Sequence, residues 1–153
     1  MPGPLFTFIL DGHNILYAAR TAFLEQLADG HPGTAAREAL VQRLLRVFTA
    51  PEHEVFLYFD GSEPQREYRS GHLQVIYSGG AGDQRADRAI LRHVTERAAR
   101  GDAATVVVVT RDIKLARQAR KRGASVMAPG EFLEAWGLGG CAAQNVLYGR
   151  QFR

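Results

Sequence analysis

Residues 105–112 read Thr105-Val106-Val107-Val108-Val109-Thr110-Arg111-Asp112. Four consecutive valines leave no polar face for water. A β-branched run that is apolar on both faces fits the centre of a parallel sheet, with helices covering it above and below. The flanking segments agree. Residues 83–100 place Ile90, Leu91, Val94 and Ala98 at helical spacing, and residues 112–122 form a second helical stretch that stops at Gly123. A helix on each side of a buried strand is the repeating unit of an α/β fold.

Outward from this unit, the same alternation runs through the chain. Residues 5–10, 55–59 and 73–77 are short apolar runs that read as strands, and residues 125–128 read as a last short one. Between them, residues 14–28 look helical, and a second helix starts at an N-capping Thr34 and ends at Pro51. A last helix follows Pro129-Gly130 and carries Phe132, Leu133 and Trp136. The expectation is a three-layer α/β domain with a parallel sheet of four to five strands and helices on both faces. The strand order 3-2-1-4-5 puts the first and fourth strands side by side. The domain spans residues 1–136. Residues 137–153 have no clear period and are a tail of undetermined order.

At 153 residues the chain has the length of one ordinary domain. Its 46% hydrophobic and 23% charged residues exclude a disordered or fibrous chain. No apolar run approaches the ~20 residues needed to cross a bilayer, so no membrane partner is expected. The single cysteine, Cys141, excludes an internal disulfide framework and a cysteine-based zinc site. The expected compartment is the cytoplasm. Basic residues are unevenly spread: residues 84–122 hold eleven Arg or Lys against four acids, although the whole chain is only +3. Such a stretch can attract nucleic acid, and it can equally be a solvated helix face in an arginine-rich protein.

The aspartates carry the chemical signal. Asp11 follows the first strand, Asp60 the second, Asp83 and Asp87 open the helix after the third, and Asp112 closes the fourth. Five of the seven aspartates therefore fall at the carboxyl ends of strands, where open α/β sheets bind ligands. Converging carboxylates repel one another unless a cation joins them. Oxygen-only donors suit Mg²⁺ or Mn²⁺, and such ions suit phosphoryl chemistry. Each acid also has a plainer role open to it. Asp11-Gly12 and Asp60-Gly61 are turn dipeptides, and Asp83 and Asp112 stand where aspartate caps helices. Asp87 shares the buried face of Ile90, Leu91 and Val94, so it needs a partner: a metal, Arg88 or Arg111.

Several of these residues stand in short motifs. Asp11-Gly12-His13-Asn14 resembles the DGxN opening of NYN domains, which have the PIN-like ribonuclease fold. Tyr58-Phe59-Asp60-Gly61 resembles their second-strand FD element, and Ala86-Asp87 with Ile90 their ADxxI element. Val109-Thr110-Arg111-Asp112 is similar to the segment after their fourth strand, and Gly123-Ala124 with Pro129-Gly130-Glu131-Phe132 to their closing segment. The ordered set covers residues 5–136 and is closest to the YacP-like branch. The resemblance implies an endoribonuclease that hydrolyses RNA phosphodiester bonds with Mg²⁺ or Mn²⁺. It implies metal ligation by Asp11, Asp87 and Asp112, with Asp60 as a further catalytic acid. Asn14 would hold the substrate phosphate or a metal-bound water, and Thr110 would support the site by hydrogen bonding. RNA is the implied partner, single-stranded or as ribosome-associated mRNA. One departure stands out: many relatives have a second acid where this chain has Arg88. Asp83, one helical turn before Asp87, is the candidate to compensate as a ligand.

The basic residues Arg88, Arg111 and Lys114 are candidate phosphate contacts beside the acids. Residues 66–72, with Arg66, Tyr68, Arg69 and His72, read as a loop that mixes cations with an aromatic and suits a single RNA strand. The competing function is a non-catalytic RNA-binding or scaffold protein on the same fold, with an incomplete acid set. A haloacid-dehalogenase-type phosphatase needs an aspartate where His13 stands, and ranks below both. A homodimer and a toxin held by an antitoxin partner both stay open.

Overall fold

The structure is a computed structural model that describes residues 6–19, 27–28, 31–32, 34–49, 53–61, 63–79 and 85–137. Five strands form the parallel core of one sheet: β1 (Phe6–Asp11), β4 (His53–Phe59), β6 (Leu73–Tyr77), β7 (Val106–Val109) and β8 (Ser125–Met127). A sixth, β5 (Gln65–Tyr68), runs antiparallel to β6 at the edge, giving the order β5-β6-β4-β1-β7-β8. The parallel part has the expected 3-2-1-4-5 order. β1 lies between β4 and β7, with Asp11 beside Tyr58 and Leu10 beside Val109.

The sheet is buried on both faces, as the valine run requires. On one face α1 (Gly12–Ala18), α2 (Thr34–Val47) and α5 (Pro129–Ala135) cover Phe8, Leu10, Val55, Leu57, Phe59, Val107 and Val109. On the other, α3 (Arg85–Ala99) and α4 (Ile113–Lys121) cover Ile9, Phe56, Tyr58, Ile76, Val106 and Val108. Alternate residues of each strand thus feed opposite layers.

The structure corrects the sequence reading in two places. The segment read as a loop around Arg66 is an edge strand. Its polar residues on both faces hide the strand from a hydrophobicity pattern, and charges are how exposed edges avoid pairing with other chains. The helix expected over residues 14–28 ends at Ala18, and a short strand β2 (Leu27–Ala28) pairs antiparallel with β3 (His31–Pro32). Asp29-Gly30 lies between them in sequence, a dipeptide favoured in hairpins. Residues 20–26, Asp83, the tail from residue 138 and Cys141 lie outside the described residues.

The N-terminal edge of the sheet is fastened by a buried cation. Arg97 of α3, only 7% exposed, donates to Glu54 Oε1 at 2.6 Å and to Thr7 Oγ1 at 3.1 Å, and lies 3.6 Å from Asp102. It belongs to the basic stretch seen in the sequence but is committed to the fold. The site lies at the opposite edge.

Candidate functional site

Three helix starts converge at the carboxyl ends of β1, β4 and β7. Asp11 ends β1 and caps α1: its Oδ1 accepts from the Asn14 amide at 3.4 Å. Asp112 caps α4 through Oδ1, which accepts from the Leu115 amide at 2.8 Å. Asp60 follows β4, and its Oδ1 accepts from the Ala86 amide in the first turn of α3 at 2.7 Å. The capping role open to these acids is real, and it aims them. Each cap bond restrains its aspartate, and the second oxygen of Asp11 lies 3.2 Å from Thr110 Oγ1.

Asp87 reaches both neighbours. Its carboxyl is within hydrogen-bonding reach of Asp11 and Asp112, so the partners of this half-buried acid include two other acids. Burial first, and then the charges of Asp11 and Asp112, push Asp87 up to about 7. Asp11, 4% exposed, is also raised. Burial is the main cause and the Asp60 charge adds to it, against hydrogen bonds from the Asn14 amide, Thr110 and Asp87. Burial and neighbouring charge thus favour the protonated forms of Asp87 and Asp11.

A second layer of hydrogen bonds holds the acids in register. Thr110 Oγ1 sits 3.2 Å from Asp11 Oδ2 and 3.3 Å from Asn14 Oδ1, and accepts from the Asp112 amide at 3.1 Å. Its single proton serves one of the two oxygens at a time. Asn14 Oδ1 accepts from the Arg111 amide at 2.6 Å. Asn14 therefore ties α1 to the turn before α4. That structural duty engages the oxygen and leaves the Nδ2 amide as the group that could donate to a phosphate.

Gly12 explains the second letter of the DGxN motif. A Cβ built there would meet the Phe59 ring at 2.3 Å. The backbone after Asp11 can pass over Phe59 only without a side chain.

Hard carboxylate oxygens crowded together fit a hard divalent cation, and Asp11, Asp87 and Asp112 are the residues able to hold one. In their present arrangement no three His, Cys, Asp or Glu side chains among the described residues form a ready-made cage. Asp87 lies between its two neighbours, within reach of both.

The candidate cations fall into two groups. Arg88, Arg111 and Lys114 are exposed around the acids, and Arg88 and Lys114 line a groove of about 150 Å³ between α3 and α4 that also touches Asp87 and Asp112. Arg66 is exposed on β5, some way along the sheet edge. Arg69 instead pairs with Glu38 of α2 at 2.6 Å and with Glu67 at 3.4 Å, and His72 bonds the Phe48 carbonyl. Both hold β5 and β6 to the rest of the fold.

Arg37 was missed in the sequence as a site residue. Its guanidinium lies over the rings of Phe59 and Tyr77, 5.3 and 5.9 Å from their centroids. His13 packs edge-on to the same Phe59 ring at 5.6 Å and is held neutral by burial, with Arg37 adding to the effect. Nothing local marks Arg37: it reads as an ordinary residue of the first turn of α2.

The fold has known counterparts. The pattern of the YacP-like NYN domain matches residues 8–137. The chain belongs to the YacP-like NYN domain family. The crystal structure of a mutant of Rae1 (YacP) from Bacillus subtilis is similar, with a TM-score of 0.61 at 20% identity, covering 94% of this chain and 77% of that one. No curated protein matches the chain. NYN domains are generally ribonucleases, so family membership gives this NYN domain a nuclease-like, RNA-related function.

Proposed function

We propose that this NYN domain is a metal-dependent endoribonuclease whose centre is Asp11, Asp87 and Asp112. The observation that carries the reading is the meeting of the Asp87 carboxyl with both Asp11 and Asp112 at the carboxyl edge of the sheet. Holding three acids together opposes folding, so an arrangement that keeps them in contact is best explained by a cation as substrate partner.

Asp11, Asp87 and Asp112 bind Mg²⁺ or Mn²⁺, which supplies Lewis acidity at the scissile phosphate. Asp83 is a further candidate ligand in sequence. Asp60 positions α3, and so Asp87, through its bond to the Ala86 amide. Thr110 and Asn14 keep Asp11 and Asp112 at a fixed separation. Arg88, Arg111 and Lys114 draw the RNA backbone over the acids, while the positive ends of α3 and α4 favour the phosphate there. Arg37 adds a cation on the Phe59 side. The substrate is single-stranded RNA, and the working compartment is the cytoplasm.

The absence of a ready-made cage among the described residues, together with Arg88 in place of a second acid, favours a second reading: an RNA-binding protein without catalysis. One experiment separates them. Circular and linear single-stranded RNAs are incubated with the purified chain in Mg²⁺, Mn²⁺ or EDTA. Opening of the circle in metal, lost in EDTA and in Asp87→Asn, supports the endonuclease. Retained RNA with intact circles in every condition supports the binding protein.

A further inference from the structure

We propose that the cleft between α3 and the β5–β6 edge is a base-binding subsite that holds one unstacked nucleotide of the RNA strand near the cut. The inference rests on the nuclease reading and extends it to substrate recognition.

The cleft has a volume of about 470 Å³, within the range of built ligand sites. Its floor is Phe56 and Tyr58, apolar β4 residues on the α3 side of the sheet. Its wall is His93, whose ring stands edge-on to Phe56 at 4.6 Å and whose Nδ1 lies 2.8 Å from the Tyr58 hydroxyl. The half-buried His93 imidazole, backed by the buried Phe56 and Tyr58 rings, offers a flat base a stacking surface, and the polar groups of the rim offer hydrogen-bonding atoms. Arg66 reaches the cleft from β5 and Arg92 from α3, so two cations from different elements stand at one mouth. They suit the phosphate of the same nucleotide. Glu96 on the same rim accepts from a base amine and repels a second phosphate there.

The edge strand gives the cleft its direction. Arg66 pairs across the ladder with Ile76 and Tyr68 with Gln74, so both project to the α3 face. Tyr68 is 73% exposed, an aromatic platform beyond the cleft for a neighbouring base. The path also leads back to the acids. Tyr58 lies two residues before Asp60 and beside Asp11 in the sheet, and Asp60 is bonded to the first turn of α3. Asp87, Arg88 and Leu91 line the groove on the α4 flank of α3, whereas Ala89, Arg92 and His93 line the cleft on the other flank. A helix diameter of about 10 Å separates the flanks, or about three nucleotides at stacked spacing. A duplex would keep its bases paired and out of reach, so the cleft selects single strands.

The test uses short single-stranded RNAs with one abasic position moved along the strand, cleaved by the full chain in Mn²⁺, with KM and kcat read separately. In the wild type, removing one base within about three nucleotides of the cut raises KM about tenfold and leaves kcat unchanged. In Arg66→Ala/Arg92→Ala, whose changes lie on the surface, the intact strand already shows the raised KM and the abasic position adds little. His93→Ala behaves likewise, and its melting curve shows whether it is folded. Cleavage that is indifferent to every abasic position overturns the subsite and leaves the nuclease reading standing. A KM rise in the double variant that is equal for intact and abasic strands also overturns it, assigning the arginines to phosphate attraction alone. Absence of cleavage of any strand by the wild type sinks the nuclease reading, and the subsite with it.

Discussion

Asp87 titrates half-buried and among other acids, and that fixes the sign of its effects. Its folded value of about 7 lies above the unfolded value near 4, so the folded chain keeps a proton that the unfolded chain releases. Metal-free stability therefore falls as pH rises from about 4 to about 7 and levels off above. Asp87→Asn makes that slope shallower, which melting temperatures in EDTA across this window will show. At neutral pH the same variant melts higher than wild type without metal, gains less from Mg²⁺, and does not cleave RNA. A large loss of stability in EDTA, with an unchanged Mg²⁺ increment, would remove Asp87 from the metal site. Gly12 is the other sharp position. Gly12→Ala must displace the Phe59 ring beneath it, at about 1–3 kcal/mol, and it shifts Asp11 with it. Cleavage should fall further than stability, a divergence that melting curves and rates on one sample will reveal.

At the scale of elements, the latch between α1 and α4 is open to test. Thr110→Val removes the hydroxyl shared by Asp11, Asn14 and the Asp112 amide at almost constant volume. The expected cost is about 1–3 kcal/mol, from the unsatisfied buried groups. The loss of cleavage should come in kcat, because Thr110 positions acids rather than binding RNA. The same elements show what the sequence could reveal. The parallel strands announce themselves because both of their faces are buried, and Val106–Val109 has no alternative home. The acids were legible because each stands where a strand hands over to a helix. Their order along the chain, not any one motif, carried the family resemblance. β5 was illegible because an edge strand has no apolar face to betray it. Arg37 and the Tyr58–His93 pair were illegible for another reason: each depends on which residues of distant elements meet, and periodicity reports only which face a residue occupies. Arg97 misled, since in sequence it counts as one more surface cation.

For the molecule as a whole, the basic residues that remain exposed set how RNA is met. Affinity should fall steeply with salt as phosphate contacts release counterions, and charge reversal at Arg88 together with Lys114 should weaken all sequences alike while flattening that salt slope. Unchanged affinity in such a variant would move the main path to the β5 edge. The opposite end of the sheet answers to different chemistry. Arg97→Ala leaves Glu54 and Asp102 free to turn to water, but it empties a buried site and three contacts. The expected loss is about 2–3 kcal/mol, a melting temperature lower by about 4–12 °C, with the response to Mg²⁺ intact.

The two edges of the sheet thus differ in kind. One is closed by opposite charges that attract, the other brings like charges together. The domain behaves as a plank nailed at one end and sprung at the other. Amide hydrogens near Thr7, Glu54 and Arg97 should exchange with solvent only when the whole chain opens, whereas those at the starts of α1, α3 and α4 exchange through local opening. Adding Mn²⁺ slows exchange at the sprung end alone.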